Sequence, residues 1–463
     1  MTILAPLDPG RSTPMLSHPQ VDLCIGFGML IKSLCMAINK RHDYEGNLQP
    51  PARQGESVDP PSITSPLMRI AQVAPFPVRK NGIGIYTARL IEELRSQDPQ
   101  CSIMSPADLL PRKSGQETGD GNGREFPLPW PGAFLEAIDA ASSQLVHIQH
   151  GLYIGHGHNL ARFLSGLRAR RIPCVLTLHG VWPPTLFRRW PARFYRLLAA
   201  NVERVIVHQR AGSLTILQEH GIPADRITVI PHGTWTGAEI APAKIPEPIG
   251  MAGRRVVLFA GNIFRRKGLH IVIQAFPAVI RRIPEARLLV VGSERTNNFL
   301  DRVYRLWLHE KMLPGLKEGW LFHRAEYVPD AELSTRIAAA EVVVFPYLRR
   351  YGSASGVFHR VLAAGRPAIC SNIPTFAEAN DAWGERLPDL FPPPGDIEAW
   401  SRSLIRILTD ETFRRRAMEA SAALGHETSW ASVARQHLQL YRALLPPAPI
   451  PNKSLQSTAE GSI

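Results

Sequence analysis

From residue 68 onward, short apolar runs alternate with longer segments whose apolar positions recur every third or fourth residue. Runs at 69–74, 145–149, Cys174–Leu178, Arg204–Val207 and 227–230 are rich in Val, Ile and Leu, and predict strands covered on both faces. Between them, 84–94 places Tyr86, Leu90, Ile91 and Leu94 on one side, and both it and 160–168 predict amphipathic helices. The pattern breaks at 237–253, rich in Pro and Gly, and then restarts. Strands are predicted at 256–260, 287–291, Val342–Phe345 and 368–371, and helices at 270–283, 331–340, 397–408, 410–424 and 430–445. Strands alternating with helices at this spacing predict α/β architecture, with parallel sheets and helices on both faces.

The predicted organisation is therefore two Rossmann-like domains, 68–236 and 254–429, joined by the linker 237–253. A final amphipathic helix occupies 430–445. A chain of 463 residues suits two such domains plus tails. Segments 1–67 and 446–463 lack sustained periodicity and predict a disordered extension and tail. Met68, immediately before the first strand, is a candidate start of the functional protein. The most apolar stretch of the extension, 21–38, is interrupted by Asp22 and Lys32, leaving too short a run to span a bilayer. It also lies too far in for a standard signal peptide. A cytoplasmic protein is expected.

The charge balance sharpens this picture. Lys and Arg number 53 against 40 Asp and Glu, a formal net charge of +13, which favours anionic partners. No recognisable nucleic-acid module accompanies it. The five cysteines are scattered and odd in number, with no C-x-x-C, which argues against a disulfide framework or a zinc–cysteine site.

Two loops carry candidate chemistry. Strand Val342–Phe345 runs into Pro346-Tyr347 and a small-residue turn, 352–356, before a helix and the strand 368–371. Open loops at the carboxyl ends of strands are where doubly wound domains bind ligands. Unpaired N–H groups at the helix start, with the Ser353 and Ser355 hydroxyls, suit a phosphate; an ordinary tight turn is the alternative. The turn 261–268 presents Arg265, Arg266 and Lys267 just before Gly268 and a helix, where cations would meet a diphosphate. Asn81-Gly82-Ile83-Gly84 lacks the third glycine of a dinucleotide fingerprint, so it supports NAD weakly.

RIAQVAPFP with NGIGIYTARL, LTLHG, VIVHQ, VIPHG, LFAGNIFRRKGLHIVIQAF, RLLVVGS, EYVPDAEL, VVVFPY, SGVFHRVLAAGRPAICS and SWASVARQHLQLYRALL occur in that order over 68–445. In them the chain resembles glycosyltransferase family 4, retaining enzymes of the GT-B fold that use nucleotide-sugar donors. The resemblance implies two doubly wound domains facing each other across a cleft, the first for the acceptor and the second for the donor, with the helix from Trp430 crossing back to the first. It implies transfer, with retention, from a nucleoside diphosphate sugar to a glycan, lipid-linked or small-molecule acceptor, as in polysaccharide biosynthesis. It implies donor contacts from Gly82, Gly84, Asn262, Arg265, Arg266, Lys267, Tyr347, Ser353, Ser355, Gly356, Val357 and Glu378. His179 matches a histidine at the reaction centre and, with Lys267, is a candidate catalytic residue. His147 and His150, one strand earlier, are acceptor-side candidates; alternation puts His147 and Gln149 on one face, and either histidine also reads as structural.

The chain departs from the family where a Glu-x7-Glu pair is common: Gly352 and Arg360 occupy those positions, and Ser355-Gly356 looks like the Ser-Gly of one branch. Asn262 stands where an arginine is frequent. No Asp-x-Asp motif stands at a suitable loop, so the expected chemistry uses no cofactor and no metal. Phe187, Trp190, Phe194 and Tyr195 interleave with Arg188, Arg189 and Arg193, which suits either peripheral contact with an anionic inner membrane face or a helix with its aromatic side in the core. A catalytically silent scaffold and a nucleotide-sugar epimerase of the same architecture remain the alternatives to a transferase.

Overall fold

The computed structural model describes residues 68–74, 82–105, 131–151, 158–183, 190–236, 251, 253–294, 299–326, 328–348 and 354–445. The extension 1–67, the loop 106–129, linker residues 237–250 and the tail 446–463 lie outside the described residues, as do Gly352, Ser353, Phe187, Arg188 and Arg189.

The first sheet is built from β1 (Met68–Val73), β2 (Cys101–Met104), β3 (Leu145–His150), β4 (Cys174–Leu178), β5 (Arg204–Val207) and β6 (Ile227–Val229). The helices between them are α1 (Gly82–Gln97), α2 (Pro131–Ala140), α3 (His158–Ala169), α4 (Trp190–Asn201) and α5 (Leu214–Glu219). The strand order is β2-β1-β3-β4-β5-β6, parallel throughout. The order reverses between β1 and β3.

The second sheet contains β7 (Arg255–Ala260), β8 (Ala286–Val291), β9 (Leu321–Arg324), β10 (Val342–Phe345) and β11 (Ala368–Cys370). Its order is β11-β10-β7-β8-β9, again parallel, and it reverses between β7 and β10. Around it lie α6 (Leu269–Arg282), α7 (Phe299–Lys317), α8 (Asp330–Ala339), α9 (Gly356–Ala363), α10 (Ala377–Trp383), α11 (Ile397–Thr409) and α12 (Glu411–Glu427). Side-chain caps stop the last helices from fraying. Asp396 accepts from the Ala399 amide and Asp410 from the Phe413 amide, both at 2.9 Å.

The chain ends its described course in α13 (Trp430–Leu444), which packs on the first sheet rather than the second. Trp430, Val433, Ala434, Leu438 and Tyr441 join Ile70, Tyr86, Leu90 and Leu94 in one buried cluster. Burying each large apolar side chain contributes about 1.5–3 kcal/mol gross. The exposed Arg442–Asp98 ion pair at the far end, 2.7 Å, belongs to a class worth about 0–1 kcal/mol. Apolar packing therefore docks the helix.

Six elements were not legible as such in the pattern, β2, β9, α2, α5, α7 and α10, and α4 was legible only as one of two alternatives for the aromatic–basic stretch. Strands β2 and β9 are four-residue edge strands with few apolar positions. Helix α7 carries apolar residues on both faces. Tyr304, Leu308 and Met312 are buried, while Phe299, Leu300, Val303, Leu306, Leu313 and Leu316 are 39–76% exposed, which blurs the helical period.

Candidate active site

The second sheet reverses between β7 and β10, and the turns after these two strands meet there. Gly268 makes the meeting possible: its φ is +68°, and a Cβ would sit 1.7 Å from the Pro346 carbonyl oxygen. The Leu348 amide donates to the Arg266 carbonyl at 3.0 Å, pinning one turn to the other. This places the Lys267 ammonium over the Tyr347 ring, 3.6 Å from its centroid. The Tyr347 and Ser355 hydroxyls are 3.1 Å apart and both side chains are buried. Ser355 immediately precedes α9 and its side chain makes no capping bond. Arg265 and Arg266 are exposed beside Lys267, the Arg266 guanidinium lying over the Phe264 ring. Asn262 accepts a hydrogen bond from the Ser293 hydroxyl, 2.8 Å. The result is a cationic turn facing a helix start, an arrangement that suits a diphosphate.

The carboxyl edge of the first sheet carries a row of imidazoles. His150 ends β3, and His179, His208 and His232 follow β4, β5 and β6. Tyr86 of α1 lies among them, its ring 4.7 Å from His179, 5.1 Å from His208, 5.2 Å from His232 and 5.0 Å from Trp430. The hydrogen bonds fix the tautomers. His208 donates from Nδ1 to the Ile230 carbonyl at 3.0 Å, so in a neutral ring its Nε2 accepts from Nδ1–H of His179 at 3.1 Å. That leaves Nε2 of His179 without a proton, 2.9 Å from Oε1 of Gln149. With both imidazoles neutral the carboxamide must turn its NH2 to that nitrogen; presenting oxygen requires one further proton on the pair. Burial and then the neighbouring imidazoles, His208 foremost, hold His179 well below the usual histidine range. Burial pulls His208 down to about 4 and His232 to about 3.

The two edges touch. His232 donates from Nδ1 to the Gly233 carbonyl, 2.9 Å, and stacks on His359 of α9. Its Nε2 faces the start of α9, 3.7 Å from where a Cβ on Gly356 would lie. The Thr234 hydroxyl meets Nδ1 of His359 at 2.7 Å and the Thr428 hydroxyl at 2.8 Å. The Gln209 side chain donates to the Thr375 carbonyl, 2.7 Å, and Glu378 accepts from the Arg210 amide, 3.3 Å. Burial pushes the Glu378 carboxyl up to about 7, with the Arg210 amide opposing the shift.

Residues 80–236 match the family model described as Glycosyltransferase Family 4, and residues 254–410 match that of Glycosyl transferases group 1. The chain belongs to glycosyltransferase family 4. It is 22% identical over 388 residues to phosphatidyl-myo-inositol mannosyltransferase of Mycobacterium tuberculosis, an alignment covering 81% of this chain and 97% of that protein. Its fold matches Anabaena HepE in complex with UDP at a TM-score of 0.60 and 15% identity, over 81% of this chain and 100% of that one. Sucrose-phosphate synthase from Thermosynechococcus elongatus matches at 0.59 and 20%, over 81% and 99%. The protein is a glycosyltransferase of GT-B type, with two parallel-sheet α/β domains.

In this family 4 glycosyltransferase, Lys267, Tyr347, Ser355, Gly356 and half-buried Val357 come together with Arg265 and Arg266 nearby. Gly82 and Gly84 open α1 on the first sheet's side, Gly82 exposed and Gly84 buried. Arg360, at one of the vacant carboxylate positions, is bound elsewhere. It pairs with Asp330 at 2.6 Å and its guanidinium lies 4.1 Å from the Trp235 ring centroid.

At His147, His150 and the aromatic–basic stretch, the packing favours the structural alternative. His147 is fully buried behind the edge, its nitrogens meeting the Tyr441 hydroxyl at 2.6 Å and the Thr177 hydroxyl at 2.7 Å. It braces the sheet against α13 and is not open to an acceptor. His150 is also buried, stacked on Phe194 at 4.5 Å. In the aromatic–basic stretch, Phe194 and Tyr195 face the core, and the Tyr195 hydroxyl donates to the Trp182 carbonyl and accepts from its amide. Arg193 is the one arginine of that stretch within the described residues.

Sequence reasoning passed over His208, His232, His359 and Tyr86. The signal was present: His208 and His232 end apolar strands just as His179 does, and His232 is followed by a glycine as His179 is. Among the described residues no helix is long and apolar enough to cross a membrane.

Proposed function

We propose that the protein transfers a hexose from a nucleoside diphosphate sugar to a lipid-linked or glycan acceptor with retention of anomeric configuration. The observation that carries this reading is the meeting of the 261–268 turn with the start of α9 at the sheet reversal, Lys267 on one side and Ser355-Gly356 on the other. The bond from the anomeric carbon to the diphosphate breaks, and the acceptor oxygen bonds to that carbon. Lys267, Arg265 or Arg266, and the amides at the start of α9 take up charge on the departing diphosphate. Charge is neutralised in this scheme by side chains and helix termini. The acceptor's O–H bond breaks as the new bond forms, and its proton passes to Nε2 of His179, the nitrogen left unprotonated by the ring's bond to His208, which exchanges Gln149 for the acceptor hydroxyl. The mannosyltransferase relative is named for phosphatidyl-myo-inositol and the HepE structure holds UDP, which supports a lipid-linked acceptor and a nucleoside diphosphate leaving group.

The test is a donor panel. The full chain is assayed for thermal stabilisation by UDP, GDP and ADP, and for transfer from the matching sugar nucleotides to phosphoinositides, lipid-linked sugars and free sugars. One nucleotide that both stabilises and supports transfer with a retained anomer is expected. Binding without turnover across the panel would favour a silent scaffold, the reading left open by Gly352 and Arg360.

A further inference from the structure

Away from the residues discussed above, three potential metal ligands converge on the outer half of the second sheet. Glu294 follows β8, His323 lies in edge strand β9, and His309 projects from the middle of α7. Their ligand atoms lie within 4.8 Å of one another. Nε2 of His309 is 2.5 Å from Oε1 of Glu294, and Nε2 of His323 is 3.5 Å from the same oxygen. The carboxylate and the His323 ring are nearly enclosed, 11% and 12% exposed, whereas His309 is 49% exposed and leaves one side open to solvent.

Hydrogen bonding alone leaves this cluster unfinished. Nε2 of His323 is buried without a hydrogen-bond partner, although it points at a carboxylate oxygen that His309 already occupies. Leaving a buried polar atom without a partner is unfavourable. The other carboxylate oxygen has its own neighbour, Nε of Arg305 at 3.9 Å, which orients the group and leaves Oε1 for the centre.

We propose that Glu294, His309 and His323 form a binding site for a borderline divalent transition metal, of the zinc class, that fastens α7 to the β8–β9 edge. Two imidazole nitrogens and one carboxylate oxygen with an open fourth position is a donor set that zinc takes readily. Bonds of about 2.0–2.1 Å in tetrahedral geometry set neighbouring ligand atoms about 3.3 Å apart. The observed 2.5 and 3.5 Å bracket that spacing, so a small movement of the Glu294 carboxylate opens the site. The metal would lie outside the diphosphate-facing turns but next to them: Glu294 bridges by backbone to Ile263, and the preceding Ser293 donates to Asn262. The site is thus a clamp beside the basic turn and takes no part in the transfer scheme above.

The test uses the untagged full chain, stripped with chelator and titrated with Zn2+ by calorimetry, and with Co2+ while visible absorption is recorded. One equivalent with micromolar or tighter affinity, and the intense visible bands of four-coordinate cobalt, are expected. His309→Ala should weaken Zn2+ binding at least tenfold and abolish those bands; its exposed position leaves the fold intact, as circular dichroism will show. Glu294→Gln supplies a second variant that keeps the side-chain volume. With 16 histidines in the chain, adventitious binding is the rival, and Zn2+ affinity equal in wild type and both variants would overturn the proposal. So would the absence of any stoichiometric binding by the wild-type chain.

Discussion

The imidazoles of His232 and His359 stack with centroids 4.7 Å apart and planes tilted by 26°, although one follows β6 of the first sheet and the other lies in α9 of the second. At most one ring can carry charge in this contact, since two stacked imidazolium ions would repel in a buried site. Burial ensures it, pulling His232 to about 3 and holding His359 well below its ordinary value.

Acid lability follows from the sign of these shifts. A histidine whose folded pKa lies below its unfolded value contributes stability that is present above about pH 6.5 and is lost as pH falls through the folded pKa. His208 and His437, each pulled by burial to about 4, act in the same direction as His232. Each pKa unit is worth about 1.4 kcal/mol, so together these groups can dominate the acid limb. The thermal midpoint should fall steeply between pH 6.5 and 4. His232→Phe, which keeps an aromatic ring in the stack, should fall less steeply; an unchanged slope would show that this ring does not titrate on unfolding.

Glu378 shifts with the opposite consequence. Its carboxyl is raised by burial from 4.5 to about 7 in the folded protein, so the stability it contributes is complete below pH 4.5 and is lost as pH rises through 7. Glu378→Gln keeps an oxygen for the Arg210 amide and removes the ionisation. Urea midpoints should agree between the two proteins near pH 4.5, and the variant should be the more stable at pH 8. A wild-type advantage at pH 8 would mean that the charged carboxylate is favoured in the folded state.

Alternation and spacing made the parallel sheets legible, because each core strand is a continuous apolar run whose burial on both faces leaves little choice of structure. The turn holding Lys267 was legible for the same reason: it follows such a strand and precedes a helix. What linear order hides is the neighbour relation of β7 and β10, separated by more than eighty residues yet adjacent in the sheet, which sets Lys267 over Tyr347. The imidazole row was hidden in the same way. Each histidine alone reads as a strand end, and only the order β3-β4-β5-β6 lines up His150, His179, His208 and His232. For His147 the alternation left a structural role open, and only the packing of α13 over that face selects it.

The junction at Gly233 offers a sharp test of α13 docking. A Cβ there would lie 2.2 Å from Cδ2 of Trp430, a ring carbon fully buried against Tyr86 and Trp235. Overpacking of this kind usually costs about 1–3 kcal/mol, and a rigid indole has little room to yield. Gly233→Ala should lower the thermal midpoint by several degrees and quench or shift tryptophan fluorescence. A midpoint and spectrum matching wild type would mean that α13 repacks freely.

Lys267 gives the sharpest test of the proposed diphosphate site. Its ammonium is held over the Tyr347 ring, a contact worth about 0.5–1 kcal/mol at a partly exposed site, so Lys267→Ala should cost little stability. Losing one charged hydrogen bond to a phosphate costs about 1.5–3 kcal/mol, or roughly a ten- to hundredfold loss of affinity for the nucleoside diphosphate. Gly356 grades the opposite side of the site. Its Cβ position is open, with the nearest atom, Nε2 of His232, at 3.7 Å, so Gly356→Ala should be nearly neutral. Gly356→Val adds γ-carbons toward that imidazole and should weaken binding in the direction of Lys267→Ala. Lys317→Ala, at the far end of α7, is the charge-matched control. Calorimetry on the four variants separates the cases: equal affinities for Lys267→Ala and Lys317→Ala would remove the diphosphate from this turn.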